Sequence, residues 1–336
     1  MFGTQKVIWK EGMFLQPQHF QQMERHLRNA FDARIQTHNP HFYGVAELSI
    51  DAEALANGMF SLSRCRGVLP DGVVFDIPYD DAAPEARSFA DHLSPQQQGL
   101  DVHLALPLSA EGKMNAVPAQ ARAHTAARYR YRSAGVTDEI VGSDTKEIEV
   151  GAASLCLLFG DESLDGYASL RIARLVRNAA GQVELDKTHI PPLLRIGGNA
   201  YLMNELRAIL EVLMARISSL SQGRRQVEGG FPEFSGSEET PFRLLQTLNT
   251  FTPLLAQYQH AGNVHAYELF CLLNQLTGAL CTFSVDWDIT KLPRYDHADL
   301  GATFGGLTRI VRSILEADIS AGCVAIPVEQ INQATY

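Results

Sequence analysis

The chain has 336 residues, of which 46% are hydrophobic, 20% charged and 8% aromatic, the make-up of a folded protein rather than a disordered one. Its 28 Lys and Arg stand against 38 Asp and Glu, and the formal charge of −10 repels polyphosphate and excludes the basic footprint of a nucleic-acid binder. That length exceeds what one hydrophobic core usually serves and favours two domains.

The five cysteines, Cys65, Cys156, Cys271, Cys281 and Cys323, are odd in number, widely spaced and free of any Cys-x-x-Cys pair, so they suit a reducing cytoplasm better than a disulfide framework or a zinc site. Met1 to Gln5 is polar and Lys6-Val7-Ile8-Trp9 is too short for a signal core. The longest apolar stretch, Ala152 to Phe159, is far short of the ~20 residues that cross a bilayer. The expectation is a cytoplasmic protein that meets a membrane only through partners.

From Pro17 the apolar residues Phe20, Met23, Leu27, Phe31 and Ile35 recur at steps of three and four, which predicts an amphipathic helix. Gln21, Glu24, Arg25, Arg28 and Asp32 form its polar face, and the apolar stripe is expected to point inward. Up to about residue 180 short extended runs then alternate with turns, as in a sandwich. Candidate strands cover 60–66, 73–77, 100–106, 128–132, 147–150, 154–159 and 169–176. Turns are expected at Leu69-Pro70-Asp71-Gly72 and Ala179-Ala180-Gly181-Gln182.

Pro191-Pro192 can continue neither a helix nor a central strand and reads as a boundary, beyond which helices dominate. In the first, from Asn199 to Leu220, Leu202, Leu206, Ile209, Leu213, Ile217 and Leu220 form a near-heptad seam that calls for another helix. A loop over Gly229 to Glu239 precedes Thr240-Pro241, a cap and first-turn proline, and Pro253 is expected to kink or end the helix that follows. Val264 to Phe283 is apolar on most sides and reads as the second core. Asp296 to Glu316 reads as a capped helix turning Leu300, Phe304, Leu307, Val311 and Ile314 inward, before a β-like tail from Ser320 to Tyr336. The fold class is therefore α+β, an N-terminal β-sandwich followed by a helical bundle.

Motifs for phosphate cradles, dinucleotides, the serine elbow and the HExxH zinc helix do not occur in the sequence. Asp296-His297-Ala298-Asp299 holds ligand types for a divalent ion, but a capping role explains Asp at a helix start. His38 and His41 straddle Asn39-Pro40 and read as turn residues. Arg128, Arg130 and Arg132, with Arg122, would share one face of a strand, either solvated or facing an acidic protein. Cys271 and Cys281 read as small core residues. No catalytic residue, metal or cofactor is assigned.

The run from Lys6 to Gln22 resembles the opening signature of the TssK family of type VI secretion baseplate subunits, W-x-E-G-M-F-L-x-P-Q-H-F-Q. Trp9, Glu11, Gly12, Met13, Phe14, Leu15, Pro17, Gln18, His19, Phe20 and Gln21 meet every fixed position. The likeness continues in Asn39-Pro-His-Phe-Tyr-Gly44, Pro293-Arg-Tyr-Asp-His297 and Asp299-Leu-Gly-Ala-Thr-Phe304. It implies a trimeric, non-enzymatic scaffold with a shoulder domain over residues 1–190, similar to the shoulder of phage receptor-binding proteins, and a helical neck over 191–318. Residues 319–336 would be a linker or the start of a C-terminal head that is otherwise missing, as in a fragment.

The resemblance further implies docking on the TssF/TssG wedge, with the absent head reaching the membrane-complex proteins TssL and TssM at the inner face of the inner membrane. Candidate wedge contacts are Trp9, Glu11, Met13, Phe14, Gln16, Pro17 and Phe20, a set rich in large apolar anchors of the kind that concentrate interface energy. Candidate trimer contacts are Leu202, Leu206, Ile209, Leu213, Ile217 and Leu220. The competing readings are a phage-like adhesin or carbohydrate-binding sandwich, and an enzyme whose site leaves no local motif.

Overall fold

The computed structural model describes residues 5–94, 96–121, 127–225 and 236–317, with the side chains of 223–225 and 236–238 left aside. Pro17 at the first helical turn, behind a reciprocal cap between Gln16 and His19, starts helix α1 (Pro17–His38). Strand β1 (Gly44–Ile50) follows, then α2 (Ala52–Ala56), capped by the Asp51 carboxylate. The β succession continues with β2 (Met59–Phe60), β3 (Leu62–Val68), β4 (Val74–Ile77), β5 (Arg87–Ser88), β6 (Gly99–Pro107) and β7 (Ala116–Pro118). It closes with β8 (Tyr129–Thr137), β9 (Thr145–Ala153), β10 (Cys156–Phe159), β11 (Tyr167–Arg177) and β12 (Val183–Leu185).

The strands form sheets of order β1-β3-β4, β10-β6-β11-β12, β2-β5 and β7-β8-β9. Alternation decides which faces are buried. Leu100, Val102, Leu104 and Leu106 of β6 share a face with their register partners Leu157 and Phe159 of β10 and Leu170 and Leu175 of β11, and all are buried. In the β1 sheet Cys65 pairs with Ile77 and Gly67 with Phe75 on the buried side. The α+β class stands.

Helices α3 (Ala200–Arg225), α4 (Gly236–Ala261), α5 (Ala266–Cys281) and α6 (Leu300–Glu316) complete the described chain. Close contacts divide it into two units, the first drawn from Met1–Met203, Gly262–Glu268 and Tyr295–Ala302, the second from Asn204–Ala261, Leu269–Arg294 and Thr303–Tyr336. The chain thus returns twice to its first unit. Pro191 and Pro192 lie inside that unit: both are buried, Val45 N–H donates to the Pro192 carbonyl at 2.8 Å, and Leu194 N–H donates to Val45 at 3.0 Å. The prolines end the strand pattern and yet are pinned alongside β1 rather than forming a linker.

The second unit is helical. Leu206, Ile209, Leu213, Leu244, Leu248, Leu255, Leu272, Leu276, Leu307, Val311 and Ile314 are buried in it, and Arg312 reaches Glu205 at 3.1 Å. The starts of two helices change here, and one alternative at Pro253, that it ends its helix, falls away. α4 begins at Gly236, before Thr240-Pro241, and it runs through Pro253, the buried Leu248 and Leu255 on either side holding the turn from which the proline removes one hydrogen bond. α6 begins at Leu300 with Asp299 accepting from Ala302 N–H at 3.2 Å, while Asp296 closes the turn before it. Arg122, most of the loop from Gly229 and the tail from Ser320 lie outside the described residues.

Candidate docking surface

The opening segment folds back on α1. Gly12, at φ +72, provides a turn in which Met13 N–H donates to Lys10 at 3.3 Å. The Gln22 side-chain amide holds the Gln5 carbonyl at 2.8 Å, and the Trp9 ring lies 6.0 Å from His19 and 6.4 Å from Phe20, centroid to centroid. Trp9, Glu11, Phe14, Gln16, Pro17 and Phe20 are all exposed, Phe14 to 83%, and Met13 is half-buried. The seven candidate wedge residues therefore lie together along one short stretch, with the apolar groups of Trp9, Phe14, Pro17 and Phe20 in solvent.

The larger departure from expectation is α1 itself. No residue of this helix is buried, and its apolar stripe, Phe20, Met23, Leu27, Phe31 and Ile35, points outward, with Phe31 62% exposed. Arg25, Arg28 and Asp32 of the polar face are instead half-covered by the first unit. Arg28 donates to the Tyr129 hydroxyl at 3.3 Å, and Gly72, at φ +86, makes room for the Asp32 carboxylate, 2.8 Å from where a Cβ would stand. Burial pushes the Asp32 carboxyl above its ordinary range. Amphipathicity predicted the helix correctly and its orientation wrongly: hydrogen bonds hold the polar side, and the apolar side is left uncovered.

The seam on α3 behaves in the opposite way. Leu202, Leu206, Ile209 and Leu213 are each at most 1% exposed within a single chain, and Ile217 and Leu220 are half-buried. Four of the six candidate trimer contacts thus have no surface to offer another chain. Their heptad spacing records packing within the chain.

The remaining polar candidates are committed internally. Arg128 is buried, donating to the Pro107 carbonyl at 2.9 Å and to Asp71 at 2.6 Å, and Arg130 reaches the carbonyls of Ala119 and Ala121. The arginine strip is therefore structural at two positions, and among its described members only Arg132 is exposed. Burial pushes the Cys65 thiol up to about 12, which leaves it unreactive at neutral pH. Cys281 is buried and Cys271 half-buried on α5.

Among the described residues no three His, Cys, Asp or Glu side chains gather as a metal site would need, and His297 is part of an aromatic cluster within the first unit. Its ring lies 4.6 Å from Tyr43, 5.2 Å from His41 and 5.5 Å from His265, the last pair stacked. Nε2 donates to the Tyr43 carbonyl at 2.7 Å, so Nδ1 is the acceptor for the Tyr295 hydroxyl at 2.6 Å. His265 is fixed likewise, donating from Nε2 to His41 and accepting at Nδ1 from Tyr267 N–H. Burial lowers both imidazoles, His297 to about 4. With both nitrogens engaged, neither ring offers a base to a substrate.

Sequence reasoning missed one exposed element. β8 and β9 form a nine-pair antiparallel arm whose tip shows Ile140 and Val141, 95% and 64% exposed. The strand fragments at 128–132 and 147–150 were visible, but the acidic residues between them hid their continuity. The turn signal Gly142-Ser143-Asp144 between two alternating runs could have joined them.

The chain matches, over residues 19–336, the model of the bacterial type VI secretion family that includes EvfL, ImpJ and VasE. It is 33% identical over 333 residues to the type VI secretion system baseplate component TssK1 of Pseudomonas aeruginosa, covering 98% of this chain and 72% of that protein. The chain belongs to the TssK family. It is similar to a crystal structure of TssK at a TM-score of 0.82 and 29% identity, covering 93% of this chain and 70% of that one. A TssK–TssF–TssG baseplate subcomplex solved by cryo-electron microscopy is similar at a TM-score of 0.81 and 26% identity, over 93% and 99% of the two chains. As a TssK-family chain it is a baseplate component of type VI secretion, and its α+β fold is the family's. Among the described residues no helix is long and apolar enough to cross a membrane.

Proposed function

We propose that this TssK-family chain is a non-enzymatic adaptor that assembles as a homotrimer and docks on the TssF/TssG wedge. The single observation that carries the reading is the outward apolar side of the N-terminal segment and α1, a continuous hydrophobic surface that a soluble chain does not leave bare. Support for the wedge partners comes from the similarity to TssK in a TssK–TssF–TssG subcomplex. Trp9, Glu11, Met13, Phe14, Gln16, Pro17 and Phe20 are the proposed wedge contacts. The shoulder and neck, residues 1–190 and 191–318, are the proposed docking end, at the cytoplasmic face of the inner membrane. Contact with TssL and TssM belongs to the head, which follows residue 318 in this reading.

The trimer contacts are reassigned in this proposal from α3 to the rest of the α1 stripe. Beyond Phe20, the trimer contacts Met23, Leu27, Phe31 and Ile35 continue a stripe that steps by three, four, four and four, close to an 11-residue repeat, a spacing that keeps a seam on one side of a nearly straight helix. Three such helices bury one another's stripes around a three-fold axis. The adhesin reading has less support, because the exposed aromatic groups of the opening lie on one helix and its leader rather than at a sandwich tip.

The test is co-purification with the TssF/TssG wedge together with light scattering. Met13→Asp/Phe14→Asp is expected to keep the trimer and lose the wedge, and Leu27→Asp/Phe31→Asp to lose the trimer. Retained wedge binding by a folded Met13→Asp/Phe14→Asp trimer would remove the opening segment from the docking site.

A further inference from the structure

The β8–β9 arm has an open edge. At its two ends Ser154 N–H donates to Arg128 at 2.9 Å and Asp138 N–H donates to Asp144 at 2.7 Å, on the register that pairs Tyr129 with Ala153 and Thr137 with Thr145. Even-numbered residues of β9 therefore bond to β8, and the odd-numbered ones turn their N–H and C=O groups away from it. Ala153 confirms the direction, since its N–H leaves the ladder to reach Asp81 Oδ1 at 2.8 Å. That leaves Thr145, Glu147, Glu149 and Gly151 with outward backbone groups for which no partner occurs among the described residues, along an edge strand that β7 and β8 do not cover.

The two faces of the arm differ in chemistry. Arg132, Ala134, Val136, Lys146, Ile148 and Val150 share one face by register, apolar at Val136 and Ile148, which are about half exposed, and cationic at Arg132 and Lys146; Ser133, Thr137, Thr145, Glu147 and Glu149 share the other. Between residues 138 and 149 Asp138, Glu139, Asp144, Glu147 and Glu149 stand against Lys146 alone. The turn is ordered in advance, the Asp138 carboxylate accepting from Ile140 N–H at 2.8 Å and Val141 N–H at 3.0 Å.

We propose that the open edge of β9 takes an extended segment of a partner protein by strand addition, a segment in which apolar residues alternate with lysine or arginine. An added strand continues the sheet and places alternate side chains on the two faces. Its apolar residues extend the Val136/Ile148 face, and its cations lie beside Glu147 and Glu149. A second copy of the chain is the poorer occupant: antiparallel pairing of two β9 edges sets Glu147 and Glu149 against the same carboxylates, and like charges opposed across strands repel. The proposal stands apart from wedge docking by the opening segment, because it uses different residues.

The full chain is titrated with a synthetic octapeptide of alternating valine and lysine, with amide hydrogen exchange read residue by residue. The expected result is protection of the Thr145, Glu147, Glu149 and Gly151 amides, with no protection by a valine–glutamate octapeptide. Glu147→Lys/Glu149→Lys, at two exposed positions, should weaken the lysine peptide about tenfold, as two attractive cross-strand pairs become repulsive. Glu149→Pro removes one outward donor without touching the β8 ladder and should also weaken binding. Lysine-peptide binding that leaves those amides unprotected, or that both variants retain, overturns the proposal. Protection of the same amides in the chain alone, rising with its own concentration, overturns it in favour of a second copy.

Discussion

His297 donates from Nε2 to the Tyr43 carbonyl at 2.7 Å, a bond that joins residues 254 positions apart and ties the returning segment before α6 to the loop before β1. Together with His265, which bonds to His41 at 3.0 Å, it fastens both return crossings to the first unit. These bonds need neutral rings, because each Nδ1 must accept.

Acid should therefore loosen the first unit. Burial holds His297 at about 4, below its ordinary 6.5, and lowers His265 and His41 in the same direction, while Asp296 pulls His297 and His41 upward. At neutral pH neither state carries the proton and the stability is full. As pH falls through 6.5 the unfolded chain binds a proton that the folded chain refuses, and stability declines until about pH 4, where both bind it. For His297 alone the loss is about 3 kcal/mol. Urea midpoints between pH 7 and pH 4 measure it, and the difference from His297→Gln, which lacks this titration, separates it from the carboxylates. Parallel curves for the two chains would refute the assignment.

Leu27→Asp/Phe31→Asp should leave the single chain stable to within about 0.5 kcal/mol, since both side chains lie in solvent. The same change should abolish self-association, because six carboxylates would enter one seam. Thermal melting and light scattering on the same sample read both effects. A variant that keeps the wild-type mass would place the trimer seam elsewhere.

Leu206→Ala or Ile209→Ala should cost about 2–5 kcal/mol, the range for emptying a core position. Both residues are 1% exposed within the single chain, so the loss should not vary with protein concentration. A concentration-dependent loss would return the α3 seam to the trimer interface.

How far the sequence could be read follows from the kind of signal each element carries. Period two in Leu100, Val102, Leu104 and Leu106 marked a strand with a buried face, and packing obeyed it. Periods of three and four marked α1 and α3 equally well, yet one stripe is bare and the other buried. Periodicity reports that a stripe needs cover and says nothing of whether the cover lies in the same chain. Pro253 does not end α4, because a helix-breaking propensity is local, whereas the leucines that hold α4 together act at a distance. The histidine cluster was invisible because His41, His265 and His297 are brought together only by the two chain returns. The opening signature was legible as a motif, and its exposure was not.

Gly44→Ala tests the pinning of the double proline. Gly44 stands at φ +128, which side-chain-bearing residues rarely adopt, and a Cβ there would lie 2.5 Å from the Pro192 carbonyl oxygen. Relieving that clash separates β1 from residues 192–194 and loses the hydrogen bonds at Val45 and Leu194. Backbone strain and two buried bonds together predict a loss of about 3 kcal/mol or more. Gly12→Ala is the control, since Gly12 also has a positive φ, +72, but open space where a Cβ would stand, and should cost only about 1 kcal/mol. Equal denaturant midpoints for the two variants would show that the β1–Pro192 contact contributes nothing beyond the backbone angle.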